Sequence, residues 1–222
     1  MSFTRKRIEL QLTQVIDNIL IADGVYYLKL HKPFDFKPGQ VVALSLNEND
    51  EPRLYSIASG KNEVSLNILF DVMPTGQLTP TLANLKPNDE VYISAPFGKF
   101  LCEHTPAVWI ATGTGVAPFV SLIKSGTNKN ITLLHGARTI DGFYFQNEFK
   151  EKLGDDYLRF CTTETGNDVI EGRLTNYLKE LDNPAPELKY YLCGSSQMII
   201  DVREILLSKG VAYDKIIAEI YF

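Results

Sequence analysis

Ala107-Val108-Trp109-Ile110-Ala111-Thr112-Gly113-Thr114-Gly115-Val116-Ala117-Pro118 decides the fold. Its first five residues form a compact apolar run, as expected of a parallel strand buried on both faces. The glycines follow at once, and Phe119-Val120-Ser121-Leu122-Ile123 then reads as a helix. Strand, glycine turn and helix is the arrangement a dinucleotide site needs, because glycines let backbone amides approach a pyrophosphate. Pro118 stands where a third glycine would complete Gly-x-Gly-x-x-Gly, so the pattern alone also fits a plain tight turn.

Toward the C-terminus the same alternation continues. Ile131–His135 reads as a strand ending at Gly136-Ala137-Arg138, Phe143 to Leu153 as a helix, and Leu158–Thr163 as a strand. Lys189–Leu192 is a further strand, Ile199 to Ser208 a helix closed by Lys209-Gly210, and Ile216–Phe222 a terminal strand. Strands alternating with helices predict an α/β domain with a parallel sheet over 103–222.

Toward the N-terminus the period changes. Glu9–Ile16, Val25–Leu30, Gln40–Leu46, Val64–Phe70 and Glu90–Ser94 are short strands separated by turn residues. They predict an antiparallel barrel or sandwich over 1–102, with the boundary near Cys102–Pro106. Within it, Arg53-Leu54-Tyr55-Ser56-Ile57-Ala58-Ser59 combines a cation, an aromatic ring and hydroxyls. Alternation along a strand puts Arg53 and Tyr55 on one face and Ser56 on the other. Arginine pairs with phosphate through its planar fork, and an aromatic ring offers a stacking surface. Further on, Met73-Pro74-Thr75-Gly76-Gln77-Leu78-Thr79 breaks the strand pattern, and Thr79 reads as the N-cap of a short helix with Pro80 at its first position.

Composition narrows the partners. The chain is 45% hydrophobic and 22% charged, a soluble globular balance, and its net charge of −5 argues against nucleic acid as the main partner. No apolar run is long enough for a membrane span, and Arg5-Lys6-Arg7 leads into no apolar signal core, which predicts a cytoplasmic protein. Cys102, Cys161 and Cys193 are odd in number and far apart, as expected of thiols in a reducing compartment. Their spacing suits neither an iron–sulfur cluster nor, with the histidines, a zinc site.

Taken together, Arg53-x-Tyr55-Ser56, Gly76-x-x-Thr79, Gly113-Thr114-Gly115-x-Ala117-Pro118, Cys193-Gly194-x-x-x-Met198 and the ending Glu219-x-Tyr221-Phe222 resemble, in order, the motifs of the ferredoxin–NADP reductase superfamily, in its bacterial ferredoxin/flavodoxin reductase form. The resemblance implies a Greek-key flavin-binding barrel followed by a nucleotide-binding α/β domain, with FAD rather than FMN as the flavin. It implies that Arg53, Leu54, Tyr55, Ser56, Gly76, Gln77, Leu78, Thr79, Tyr221 and Phe222 hold the flavin. Thr112, Gly113, Thr114, Gly115, Ala117, Pro118, Arg138, Thr162, Arg173, Cys193, Gly194 and Met198 would hold NADP(H) or NAD(H). Ser56, Cys193, Glu219 and Tyr221 would surround the reacting rings, with Tyr221 covering the flavin face and swinging aside for nicotinamide.

Arg138 and Arg173 favour a 2′-phosphate, whereas Thr162-Thr163 stands where NADP-selective relatives carry Ser-Arg. The implied activity passes electrons between NADPH or NADH and a small redox protein, ferredoxin or flavodoxin, by a monomer. The alternatives are an oxygenase reductase, a free-flavin or ferric reductase, and a non-enzymatic binding or regulatory subunit on the same fold.

Overall fold

The computed structural model describes residues 8–102, 106–182 and 184–219. The first half supplies β1 (Leu10–Ala22), β2 (Val25–His31), β3 (Val41–Ser45), β4 (Arg53–Ser56), β5 (Ser65–Asp71) and β6 (Glu90–Ser94). They form a six-stranded antiparallel sheet ordered β4-β3-β6-β1-β2-β5. β3, β4 and β5 follow one another, and β6 returns to lie beside β3, which is the Greek-key connection. An Ile57–Ile68 bridge and a hydrogen bond from Ala58 N to Asn67 O (2.8 Å) join the outermost strands, so the sheet curls toward closure as a barrel. Val15, Leu28, Leu30, Leu44, Ile57, Ile68 and Phe70 fill its interior. A four-residue helix, α1 (Thr79–Leu82), plugs one end with the buried Leu82, and Asn18 Nδ2 donates to the Leu82 carbonyl at 2.8 Å.

β1 is longer than its apolar alternation suggested, because bulges between Val15 and Asp17 and between Leu20 and Ala22 let it bend and keep pairing with β2. Thr79 is not the N-cap of α1. Leu78 holds that place in a helical conformation, and the Thr79 hydroxyl instead accepts a hydrogen bond from Met73 N (2.8 Å).

The second half runs β7 (Ala107–Thr112), α2 (Ala117–Lys124), β8 (Ile131–Ala137), α3 (Gln146–Leu153), β9 (Tyr157–Cys161), β10 (Ile170–Glu171), α4 (Leu174–Glu180), β11 (Lys189–Cys193), α5 (Ser196–Ser208) and β12 (Ile216–Glu219). Its sheet is wholly parallel, ordered β10-β9-β8-β7-β11-β12. β10 and α4 carry weak local signals and were not anticipated. α4 is held by burial of Leu174 and Leu178 rather than by propensity or caps.

The two lobes share one core. Val25, Tyr27, Leu69 and Phe100 of the barrel lobe pack with Trp109, Phe119, Val120 and Tyr191 of the α/β lobe. Phe100 meets the rings of Phe119 and Tyr191 edge-on, at 5.6 and 5.5 Å between centroids. Polar contacts close the seam. Ser121 Oγ donates to Ser59 O (2.7 Å), and Lys124 Nζ donates to Tyr27 Oη (3.2 Å) while pairing with Glu63 (3.5 Å).

Candidate functional site

A parallel sheet binds ligands where its strand order reverses, beyond the carboxyl ends of the strands. Here that point lies between β7 and β11, neighbours whose following helices lead in opposite directions along the sheet. After β7 the chain turns through a 3₁₀ helix, Gly113–Val116, into α2, whose first residues Ala117 and Pro118 are buried. After β11, Gly194 precedes Ser195, which caps α5 by accepting from Met198 N.

The two loops touch through backbone. A side chain at Gly115 would drive its Cβ into Cys193 O and Gly194 Cα, and one at Gly194 would strike Thr112 Oγ1 and Met198. Ser195 N donates to Thr112 Oγ1 at 3.3 Å. Thr112, Gly115, Gly194 and Met198 therefore meet at one crossing. The opening amides of a helical turn have no partner within the helix, so this crossing presents donors suited to a pyrophosphate.

Cys193 ends β11 and lies opposite Ala111 on one side and Glu219 of β12 on the other. Burial, and then the Glu219 charge, push the Cys193 thiol well above its ordinary range. It is therefore a neutral thiol and no nucleophile. From the barrel, Ser56 Oγ donates to Glu219 Oε2 at 3.1 Å. Three sequence-predicted residues far apart in the chain thus meet where the lobes join. Tyr221 and Phe222 lie outside the described residues.

Along β4 exposure falls from one end to the other. Arg53 and Leu54 are exposed, Tyr55 is half-buried and Ser56 is buried. Burial, reinforced by Asp71, pushes the Tyr55 phenol up to about 12, so it remains a neutral ring and hydroxyl. Its edge packs on Phe70 (6.5 Å between centroids), and β5 leads from Phe70 into the exposed Gly76-Gln77 turn. Gly76 N donates to Met73 O (2.8 Å), whereas the amides of Gln77 and Leu78 find no acceptor among the described residues. Nor does Arg53 form an ion pair among them. A guanidinium with no ion pair among the described residues, a neutral aromatic ring and open amides are each groups that suit a phosphate-bearing flavin.

At the far edge of the α/β sheet, Arg138, Thr162 and Arg173 are all exposed. Thr162 N donates to Ala137 O (3.3 Å) and Gly172 N to Cys161 O (2.7 Å), so the loops bearing these residues emerge from the same end of β8 and β9.

Over residues 13–101 the sequence matches the oxidoreductase FAD-binding domain family, and over 109–204 the oxidoreductase NAD-binding domain family. It is 31% identical over 206 residues to the flavodoxin/ferredoxin–NADP reductase of Escherichia coli strain K12, covering 82% of this chain and 83% of that one. The chain belongs to the ferredoxin–NADP reductase superfamily. A second relative is the probable electron transfer subunit of dihydroorotate dehydrogenase B (NAD(+)) from Methanopyrus kandleri, 31% identical over 198 residues, 86% of this chain and 72% of the relative. A ferredoxin NADP+ reductase from Neisseria gonorrhoeae, solved with FAD and NADP, superposes with a TM-score of 0.86 at 19% identity, covering 96% of this chain and 99% of that one.

This reductase is a flavin-dependent oxidoreductase with FAD and a nicotinamide dinucleotide as its cofactors. The residues described above fit both. No helix among the described residues is long and apolar enough to cross a membrane.

Sequence reasoning missed three groups. Glu63, Lys124, Tyr27 and Asn67 form a polar knot at the seam, with Asn67 Nδ2 donating to Tyr27 Oη (2.9 Å) and to Glu63 Oε2 (3.0 Å). His135, Tyr157 and Arg159 are buried inside the α/β lobe. Glu164 is carried to the tip of β8. None has a local motif; each is assembled by pairing between distant segments.

Proposed function

We propose that this chain takes hydride from NADPH or NADH and passes the electrons singly to a small redox protein such as ferredoxin or flavodoxin. The observation that carries the reading is the 3.1 Å hydrogen bond from Ser56 of the barrel lobe to Glu219 of the α/β lobe, beside Cys193. A reductase needs nucleotide and flavin rings held against each other, and this is where groups from both lobes converge. The flavin, when bound, supplies an acceptor for two electrons and a donor of one.

The chain's own residues bind, orient and protect. Residues 1–102 form the flavin-binding part and 103–222 the nucleotide-binding part. Arg53, with the amides of Gln77 and Leu78, neutralises flavin phosphate, and Leu54, Tyr55, Gly76 and Thr79 line the same rim. Tyr55 and Tyr221 flank the ring, with Phe222 beyond. The crossing of Thr112, Gly113, Thr114, Gly115, Ala117 and Pro118 with Gly194 and Met198 seats the nucleotide diphosphate, while Arg138, Thr162 and Arg173 meet its adenosine end. Cys193, kept neutral, offers a small apolar wall for the nicotinamide. The Ser56 hydroxyl holds a mobile proton against the Glu219 carboxylate, where protonation changes during transfer. The three cysteines form no disulfide, which suits the cytoplasm, and the chain is read as a monomer.

Replacing Ser56 by Ala tests this directly. Flavin content is expected to stay at the parent level while flavin reduction by NAD(P)H slows about 10²-fold, the usual effect of deleting one aimed donor. A parent-like rate in stopped-flow mixing rejects the role. A chain that stays colourless with added FAD rejects the whole reading.

A further inference from the structure

One short helix joins the two halves of the site. α2 begins at the nucleotide crossing with Ala117 and Pro118 and ends at Lys124, and its eight residues span about 12 Å. At its far end it grips the chain just beyond Ser56. Ser121 Oγ donates to Ser59 O (2.7 Å), and Lys61 N donates to Oγ of Ser125, the residue after the helix (2.9 Å). A side chain at Gly60 would bring its Cβ within 3.0 Å of Lys124 O.

Lys124 locks this joint. Its Nζ donates to Tyr27 Oη (3.2 Å), pairs with Glu63 (3.5 Å), and lies over the rings of Tyr27 (5.3 Å) and Phe145 (5.2 Å). Tyr27 Oη donates in turn to Ala58 O (3.2 Å), Gly60 N donates to Glu63 Oε1 (3.1 Å), and Asn67 Nδ2 donates to both Tyr27 Oη and Glu63 Oε2. Groups from both lobes thus hold residues 58–63. Phe145 has a left-handed backbone (φ 59°), uncommon for so bulky a residue, and its ring meets that of Tyr27 edge-on at 5.1 Å. Such a conformation persists where its surroundings over-determine it. Apolar packing across the seam is non-directional, whereas hydrogen bonds have preferred directions and fix how the lobes sit.

We infer that Lys124 is a positioning residue for flavin reduction: it touches neither flavin nor nucleotide, and by locking α2 to residues 58–63 it sets the nucleotide crossing against Ser56. This role rests on the reading that the chain takes hydride from a nicotinamide dinucleotide. It matters because a misplacement of about 1 Å at the reacting atoms can cost about 10²-fold in rate.

Lys124→Met keeps most of the side chain's length and removes its charge. Flavin content, and the dissociation constant of the oxidised dinucleotide by calorimetry, are expected to stay within about twofold of the parent. The rate constant of flavin reduction in stopped-flow mixing is expected to fall about tenfold, with weaker long-wavelength absorbance from stacked flavin and nicotinamide. In the flavin-free chain the amides of residues 58–61 are expected to exchange about fivefold faster. Lys124→Arg, which keeps a cation to lie over both rings, is expected to recover the rate to within about threefold. Should Lys124→Met fail to fold, Glu63→Gln, which loses the ion pair but keeps an oxygen for Gly60 N, is expected to show the same pattern at about threefold. An unchanged reduction rate, a loss of FAD or dinucleotide affinity as large as the loss in rate, or no recovery in Lys124→Arg overturns the role. A parent whose flavin neither NADPH nor NADH reduces sinks the reductase reading and the role with it. A parent that is reduced normally beside an equally fast Lys124→Met sinks the role alone.

Discussion

The two lobes bury different kinds of polar group. Among the described residues of the barrel lobe the buried polar side chains are Thr13, Ser45, Ser56, Ser59, Ser65, Asn67 and Ser94, hydroxyls and one amide, with the Tyr27 phenol beside them. The α/β lobe buries Ser121 together with His135 and Arg159, which are 0% and 4% exposed. Arg159 meets no carboxylate among the described residues. It donates to Gln146 Oε1 (2.8 Å) and to the Asp168 carbonyl (2.9 Å), and its guanidinium lies over the rings of Phe143 and Tyr157. A buried cation must be satisfied by such partners or it costs several kcal/mol. The barrel lobe thus keeps charge at its rim, where Arg53 is open to a ligand, and the α/β lobe uses interior charge to fix the loops beyond its strands. The same contrast holds for the glycines: backbone packs on backbone at the Gly115–Gly194 crossing, whereas the Gly76 turn is open to solvent.

The largest test of that contrast is a matched pair of glycine substitutions. At Gly115 a new Cβ meets backbone atoms of Cys193 and Gly194, and no flexible side chain can yield. Gly115→Ala is expected to cost about 3 kcal/mol or more in urea unfolding and to abolish measurable dinucleotide binding. At Gly76 the nearest atoms are Met73 O at 3.1 Å and Met73 Cβ at 3.2 Å, at an exposed turn. Gly76→Ala is expected to cost less than about 1 kcal/mol. Equal losses from the two variants would erase the distinction between a packed crossing and an open turn.

Next in size is Arg53→Ala. Arg53 is exposed and forms no ion pair among the described residues, so its removal should cost folding little. It is expected to weaken FAD binding by about 1.5–3 kcal/mol, the range for hydrogen bonds to a charged group, with the unfolding midpoint of the FAD-free chain unmoved. Fluorescence titration with FAD and urea melts of the apoprotein read the two quantities separately. A fall in apoprotein stability as large as the loss in affinity would mean that the barrel rim, too, uses its charge structurally.

Much of this was legible in the residues. The change from period-two strands to alternating strands and helices locates both sheets, because that alternation reflects which faces are buried. Arg53-x-Tyr55-Ser56, Gly113-Thr114-Gly115 and Cys193-Gly194 announce themselves because each is a local pattern with a local cause. What was not legible depends on pairing across the chain. Glu164 reaches the tip of β8 only because β9 lies beside it in parallel register, with Ala137 opposite Cys161. Thr79 was misread as a cap because its hydroxyl is claimed from outside the helix, by Met73 N. α4 was missed because its stability comes from burying Leu174 and Leu178 against the sheet and α5, which a seven-residue window does not reveal.

The smallest effect in prospect is also the one that separates the lobes by pH. His135 Nδ1 lies 2.9 Å from Tyr157 Oη, and its Nε2 has no hydrogen-bond partner among the described residues. Burial, and then the Arg159 charge, push its pKa down to about 3 from the ordinary 6.5. In the folded protein the ring therefore stays neutral while the unfolded chain takes up a proton below about 6.5. A depressed folded pKa means that this contribution to stability is complete above 6.5 and declines as pH falls toward 3. The expected slope is about 1.4 kcal/mol per pH unit from this group between pH 6 and 5. Urea melts across that interval, on the parent and on His135→Gln, isolate the term, since glutamine can still accept from Tyr157 but does not titrate there. The variant should be less stable at pH 7.5 yet lose less on acidification. Because the described residues of the barrel lobe bury no histidine or charged side chain, hydrogen exchange at pH 5 should show the amides of β8 and β9 losing protection before those of β2 and β5. Simultaneous loss in both sheets would mean that the shared core around Phe100, Phe119 and Tyr191 couples the lobes more strongly than their separate interiors distinguish them.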